Sequence, residues 1–318
     1  MVRAAGLAVL VSAVTIFSVA WMLSDAHAVE PPAPALRVEV ASPPAADTPA
    51  PAETVVAVPA TTPAALPQHP SFEVLAKTVN AIVAASGANV GVSLVELGGP
   101  IPSAWSDGGG ASYDAASTYK LVALMDEAQL IASGQHDPNG TVCFQDEDYE
   151  DGWYDDYSSG TCFTRNDLAY RAGHYSDNTA GHMLVRDVGG SDQLNAFADS
   201  LGAKGSAFFD GNTTTADDLA RLLVAEAQGK AGGAAAQAWL YPLLTNTRWE
   251  AGIPAGTPGA VVIHKTGDDD GTVDDAGLVT GGRNGTYVLA VTTDGVGDAG
   301  WSLIAQISSA IWQYESAR

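Results

Sequence analysis

Hydrophobic residues follow a helical period where the folded part of the chain is expected to begin, and an extended pattern soon afterwards. Phe72, Leu75 and Val79 recur at helical spacings, and the small residue Gly87 follows. This pattern predicts a helix that ends at the glycine. Residues 90–97 are rich in β-branched side chains, which favours a strand.

The rest of the chain changes from helical patterns to extended ones. A strongly apolar helix is predicted directly after Ser117, and further helical patterns cover residues 166–201, 216–228 and 234–244. Three predicted strands and a last helix follow near the end, at residues 261–265, 276–279, 287–292 and 301–314. Strands at both ends with helices between them predict an α/β (α+β) fold. We expect one antiparallel sheet built from both ends of the domain, flanked by helices, with an all-helical subdomain beside it.

The first 70 residues are expected to lie outside the folded domain. Arg3 precedes a long apolar run, and small residues follow up to Ala28, a pattern typical of a secretory signal cleaved there. The run is also long enough for an uncleaved membrane anchor. Residues 29–70 are dominated by Pro and Ala and lack aromatic side chains, which predicts a disordered linker. We therefore expect a signal or anchor in 1–28, a linker, one domain in 71–318, and an extracytoplasmic location, secreted, periplasmic, cell-wall associated or anchored.

Acidic residues strongly outnumber basic ones. The 318 residues include 14 Lys and Arg against 37 Asp and Glu, so the formal net charge is −23. Such a surface repels phosphate backbones, so nucleic acid is excluded as a partner. The acidity otherwise indicates a soluble protein, which we expect to be a monomer.

The chain has two cysteines, Cys143 and Cys162. An even number in an exported protein favours a disulfide. Their spacing does not match a four-ligand zinc site, and no metal or cofactor is expected. Between them, residues 146–156 alternate acidic and aromatic side chains. This segment is interpreted as a solvated loop held by the disulfide, with binding of Ca²⁺ or a cationic glycopeptide as the alternative.

Three short polar clusters occur in a fixed order along the folded region: Ser117-Thr118-Tyr119-Lys120, Ser176-Asp177-Asn178 and Lys265-Thr266-Gly267. Alone, each is common, since serine often caps a helix and Ser-Asp-Asn often forms a turn. Together they resemble the S-x-x-K, S-D-N and K-T-G elements of class A β-lactamases and penicillin-binding proteins. The resemblance covers residues 71–318 and implies a β-lactamase/transpeptidase-like fold.

The resemblance implies a catalytic role for four residues. Ser117 would be the nucleophile, and a serine hydroxyl needs a neighbour that removes its proton. Lys120 lies one helical turn later, within reach of that hydroxyl, and must be neutral part of the time, through burial or the charge of Lys265. Ser176 would pass a proton between the two lysines and to the leaving nitrogen.

Four further residues would bind the substrate. Asn178 would hydrogen-bond an amide of the substrate, and Thr266 would bind its carboxylate together with Lys265. Gly267 would allow the ligand to come close. The backbone N–H groups of Asp268 and of the nucleophile would form the oxyanion hole.

The chain also departs from the family pattern. Class A β-lactamases carry a deacylating Glu on a loop before a Thr-rich helix start, but no Glu occurs between Asn178 and Thr213. Asp210 is the acid nearest that position, and a role at the helix start is the preferred interpretation over a substitute base. Asp275 stands where many members have an Arg that binds the substrate carboxylate. His264 is expected to pack rather than to catalyse.

The predicted function is therefore an exported serine hydrolase that forms an acyl-enzyme with β-lactams or D-Ala-type amides and deacylates slowly. One alternative is a D,D-peptidase-like penicillin-binding protein whose substrate is a peptidoglycan-type peptide. The other is a non-catalytic cell-wall-binding module with a vestigial site, favoured by the short loop and by Asp275. In each case the N-terminal segment is a possible membrane tether.

Overall fold

A five-stranded antiparallel sheet lies at the centre of the protein in a computed structural model. The structure describes residues 71–99, 103–283 and 285–317. The predicted signal or anchor in 1–28 and the linker in 29–70 therefore lie outside the described residues and stay predictions.

The strands of the sheet are β1 (Asn89–Glu96), β2 (Ala104–Asp107), β7 (Val262–Asp269), β8 (Thr272–Gly282) and β9 (Gly285–Asp294). They come from both ends of the domain and lie in the order β2-β1-β9-β8-β7, with neighbouring strands antiparallel. This confirms the predicted architecture. Two short strand pairs lie outside the sheet, β3 (Tyr113–Asp114) with β6 (Thr213–Thr214), and β4 (Thr141–Cys143) with β5 (Cys162–Thr164).

The helices occupy the long middle of the chain and its two ends. In the described residues they are α1 (Phe72–Ser86), α2 (Tyr119–Ala132), α3 (Arg165–Tyr170), α4 (Asn178–Asp187), α5 (Ser191–Ser200), α6 (Ala216–Ala227), α7 (Gly233–Leu240), α8 (Ile253–Gly256) and α9 (Ala299–Ala317). Among these described helices, none combines the length and the apolarity needed to cross a lipid bilayer.

Strand β9 shows why the sheet is buried on both faces. Successive side chains of a strand point to opposite faces. Tyr287, Leu289 and Val291 belong to the core that packs under α1 and α9, whereas Val288 and Ala290 belong to the core shared with the other helices. All five are buried, so the strand appears in the sequence as one continuous apolar run.

Helix α2 is the centre of the helical subdomain. Ten consecutive residues, from Tyr119 to Ala128, are buried. A helix that is apolar nearly all round is a buried helix, and α2 packs against α4, α5 and α7. The first residues of the helix, Tyr119 and Lys120, are therefore part of the buried interior.

The predicted helical region 166–201 is interrupted in the structure. A π-helical turn, Arg171–Tyr175, follows α3, and Ser176 after it adopts a left-handed backbone with φ of 62°. Helix α4 then restarts with Asp177 as its N-cap, whose side chain accepts a hydrogen bond from the Ala180 N–H. Hydrophobic spacing alone does not register a break of this kind, because the apolar pattern continues across it.

The predicted disulfide is present. Cys143 and Cys162 are bonded and face each other in the β4–β5 pair. The acidic loop between them is thus closed at its base.

Gly256 permits the close crossing of α8 and α9. A Cβ at this glycine would lie 2.5 Å from the Ala305 carbonyl oxygen and 2.6 Å from the Ser308 Cβ. We expect Gly256→Ala to lower the free energy of unfolding by about 1–3 kcal/mol, because overpacking at a backbone contact exceeds the gain in helix propensity. Urea denaturation measures this change.

Gly110→Ala is the matched control, since a Cβ there would meet only the Asp217 carboxylate, at 3.9 Å. We expect it to change stability by no more than about 0.5 kcal/mol. Equal stabilities for the two variants would contradict the packing argument.

Candidate active site

Ser117 lies in a short 3₁₀ turn, Ala116–Thr118, that leads directly into α2. The turn begins with a positive φ of 42° at Ala116, a conformation that alanine rarely adopts. The Lys120 Nζ, one turn further on, lies 2.8 Å from the Ser117 Oγ. The predicted nucleophile and its predicted base are therefore in hydrogen-bond contact.

Ser176 lies between the two lysines. The Lys265 Nζ donates to the Ser176 Oγ at 2.9 Å, and the Lys120 Nζ lies 3.5 Å from the same oxygen and 2.7 Å from the Ser176 carbonyl oxygen. Ser176 follows the π-helical turn directly, and its left-handed backbone conformation directs it toward both amines. Such π-turns occur frequently at functional sites. The structure thus brings together the four residues predicted to be catalytic.

Strand β7 brings the third motif against the first. A Cβ at Gly267 would lie 2.9 Å from the Ala115 carbonyl oxygen and 3.2 Å from the Ser117 nitrogen. Only a residue without a side chain lets the strand approach so closely. The glycine therefore serves the packing of β7 on the Ser117 turn, in addition to any contact with a ligand.

The two lysines, Lys120 and Lys265, are fully buried, and this burial lowers the pKa values of both amines. Burial lowers the pKa of Lys120 to about 7, although the charges of Glu150 and Asp177 oppose this. Burial, and then the charge of Lys120, hold the pKa of Lys265 well below its ordinary value. Burial of Lys120, rather than the charge of Lys265, is thus the main reason that it can be neutral near pH 7.

Three of the four predicted binding residues, all except Gly267, line two clefts that meet at Ser117. One, of about 150 Å³, is lined by Asn178, Thr266 and Asp268 together with tryptophans. The other, of about 410 Å³, is lined by Asn178 and Asp268 and by further acidic groups. Asn178 is fixed at both ends of its amide, since it accepts from the Lys120 Nζ at 2.6 Å and donates to the Asp151 carbonyl at 2.8 Å.

Three tryptophans form an aromatic wall of the smaller cleft. The three sequence motifs do not predict this wall. Trp249 and Trp301 stack at 6.0 Å with an interplanar angle of 9°, and Trp153 meets Trp249 edge-on at 5.8 Å. Such surfaces bind apolar or planar groups. Their rings come from three separate segments of the chain, so no local pattern identifies them.

Asp275 and His264 do not form part of the cleft. The Asp275 carboxylate is fully buried, accepts from the Ile253 N–H at 2.8 Å and contacts the His264 Nδ1 at 2.8 Å. Burial alone would lower the pKa of His264, but Asp275 and Glu250 raise it to about 9. Asp275 therefore holds a buried histidine and does not replace an arginine that faces the substrate.

A family model described as the beta-lactamase enzyme family matches residues 74–315. The chain therefore belongs to this family, and its fold is that of β-lactamase-like serine hydrolases. No curated protein matches the chain significantly.

Solved structures show the same fold. PBP-A is 24% identical with a TM-score of 0.71, over 78% of this chain and 98% of that one. A PBP-A mutant solved as an acyl-enzyme complex with penicillin G is also 24% identical, with a TM-score of 0.70, over 78% and 98%. A beta-lactamase from Sphaerobacter thermophilus is 28% identical with a TM-score of 0.68, over 76% and 97%.

Asp177 organises the loop in front of the site. Its buried carboxylate accepts from the Trp153 and Tyr154 N–H groups at 2.8 and 3.2 Å, and from the Tyr157 hydroxyl at 2.6 Å, in addition to capping α4 at Ala180. The prediction that this residue holds the turn together is consistent with these contacts.

We expect Asp177→Asn to lower the free energy of unfolding by about 2–4 kcal/mol, because an amide NH₂ would face buried N–H donors and leave them unsatisfied. Denaturant titration measures the change. Asp155→Asn, an exposed change in the same loop, is the control and should cost no more than about 0.5 kcal/mol. A loss at Asp177 no larger than the control would refute its organising role.

Proposed function

We propose that this protein is an exported serine hydrolase that forms an acyl-enzyme through Ser117 with β-lactams or D-Ala-type amides. The observation that carries the proposal is the 2.8 Å contact between the Lys120 Nζ and the Ser117 Oγ, beside a Ser176 hydroxyl within reach of both lysines. Export rests on the N-terminal sequence pattern alone.

The chemistry starts with a neutral Lys120. It takes the Ser117 proton while the Oγ bonds to the substrate carbonyl carbon, and the oxyanion accepts hydrogen bonds from the N–H groups of Ser117 and Asp268. When the C–N bond breaks, the leaving nitrogen receives that proton through the Ser176 hydroxyl. The carboxylate of the substrate binds at Thr266 and Lys265.

Deacylation is slow in this proposal. The family's water-activating Glu has no counterpart in the segment before Thr213, which holds Asp210 as its acid. The Asp210 carboxylate lines the larger cleft, but among the described residues no hydrogen bond or ion pair orients it. An acyl-enzyme that lacks the family's base on this segment should be hydrolysed slowly.

A D,D-peptidase-like penicillin-binding protein is the second candidate. The similarity to PBP-A and to its penicillin G acyl-enzyme supports it. The two candidates share the acylation step and differ in how long the adduct lasts.

We expect Ser117→Ala to abolish covalent capture of a penicillin, because the attacking oxygen is removed. Intact-mass spectrometry over time reports both the gain of one penicillin mass and its later loss. Ser133→Ala, an exposed serine at the end of α2, should retain capture. Capture that survives in Ser117→Ala would falsify the assignment, and an adduct that never disappears would favour the penicillin-binding candidate.

We expect the acylation rate to rise with pH through about 7, because the pKa of Lys120 is about 7 and only its neutral form removes the Ser117 proton. Below that pKa the rate should fall about tenfold per pH unit. Stopped-time mass spectrometry between about pH 5.5 and about pH 8.5 measures the profile. The exposed Lys204→Met variant should reproduce the wild-type curve, and a flat wild-type profile would exclude Lys120 as the base.

A further inference from the structure

Glu150, from the acidic loop between the cysteines, lines the same cleft as Ser117. This cleft, of about 410 Å³, also contains His182 and Asp210. Half of the Glu150 side chain is exposed, at 50%. The cleft that contains Ser117 is thus lined by a carboxylate from a different segment than the one where the family pattern places it.

The backbone of Glu150 is fixed to the start of α4. Its N–H donates to the Thr179 Oγ1 at 3.0 Å, and the same hydroxyl donates to the Glu150 carbonyl at 2.7 Å. Thr179 is buried and follows Asn178 directly. These bonds involve only the main chain of Glu150, so they survive a change of its side chain.

His182 orients the Glu150 carboxylate. Its Nε2 lies 2.8 Å from the Glu150 Oε2, and the imidazole is held edge-on against Phe209 at 5.0 Å. Burial and the charge of Lys120 lower the pKa of His182, whereas Glu150 opposes this. The carboxylate is therefore held by a partner that is itself packed, as a group that must act at one position requires.

Helix α4, to which Glu150 is bound, packs on the reacting groups. A Cβ at Gly181, next to His182, would lie 2.7 Å from the Lys120 Cε, so the helix lies directly against the base. Of the charges that act on the pKa of Lys120, the Glu150 charge has the largest effect.

We propose that Glu150 is the base that activates water for deacylation, with His182 as its positioning residue. This inference rests on the proposed acyl-enzyme at Ser117. The Glu150 carboxylate takes one proton from water while the water oxygen bonds to the acyl carbon. The C–Oγ bond then breaks, Glu150 passes its proton through solvent to Lys120, which acylation has left neutral, and Lys120 passes that proton to the Ser117 Oγ. The product leaves as the carboxylic acid.

Asp210 is the rival base in the same cleft. It is exposed and follows Phe209, which has a positive φ of 72°. Unlike Glu150, it has no orienting side chain among the described residues. General-base catalysis needs a carboxylate held within hydrogen-bond reach of the water, so the geometry favours Glu150.

The test measures acylation and deacylation separately on the full chain, by intact-mass spectrometry with a penicillin. After excess penicillin is removed, Glu150→Gln should still acquire the adduct within about threefold of the wild-type rate. It should lose the adduct at least about tenfold more slowly, the lower range for loss of a general base. Glu147→Gln, an exposed glutamate in the same loop, is the matched control and should behave as wild type.

Two further variants keep the test decisive. His182→Gln should slow adduct loss less than Glu150→Gln and leave adduct formation intact. Glu150→Asp retains a carboxylate and should recover part of the deacylation rate, a rescue that a purely structural role would not produce. It also replaces Glu150→Gln if that variant does not fold.

The outcomes separate this inference from the proposed function. Adduct loss at the wild-type rate in Glu150→Gln, slow loss in Asp210→Asn alone, or a wild-type adduct that never disappears would each overturn the role of Glu150 and leave acylation at Ser117 standing. Absence of any adduct in the wild type would remove the proposed function, and this inference with it.

Discussion

Two buried amines that share one hydroxyl are the constraint on which this structure depends. Lys120 and Lys265 are both almost inaccessible to water, and burying charged groups is costly unless they lose the charge or gain partners. Both routes are used. Their pKa values are lowered, and each amine contacts several oxygens, including those of Ser176, Asn178 and Thr266. The helical subdomain and the sheet must meet at this point for either lysine to be satisfied.

Bringing the three motifs together requires strained backbone, which other contacts offset. Ala116 and Ser176 both have positive φ, and such residues cost about 1–3 kcal/mol each. Next to the second of them, Asp177 accepts four hydrogen bonds in a buried position. Hydrogen bonds to a charged group contribute about 1.5–3 kcal/mol each, so this one side chain is enough to hold the turn. Both of these strained residues lie in segments that position the site.

The sequence motifs identify which residues meet, because Ser117, Lys120, Ser176 and Lys265 occur in a family order and the fold places them in contact. The β-branched and apolar runs likewise predict β1, β7, β8 and β9, but not the edge strand β2. The same reasoning does not predict the π-helical turn before Ser176, since the apolar pattern continues through it. Nor does it identify Glu150, whose position depends on a hydroxyl and an imidazole of α4 that are distant in sequence. Such contacts exist only after the loop has packed on the helix.

The acidic loop between the cysteines supplies the cleft with a glutamate that the segment before Thr213 lacks. The segment between Asn178 and Thr213 contains no glutamate that could take the place of the family's base. The loop between the cysteines is closed at its base by the disulfide and bound at its tip to Thr179 and His182. A carboxylate held there also acts on Lys120, because its negative charge favours the protonated amine. That state cannot accept the Ser117 proton during acylation, but it is the one that returns a proton to the Ser117 Oγ when the ester is hydrolysed. The charge of Glu150 therefore opposes acylation and assists deacylation.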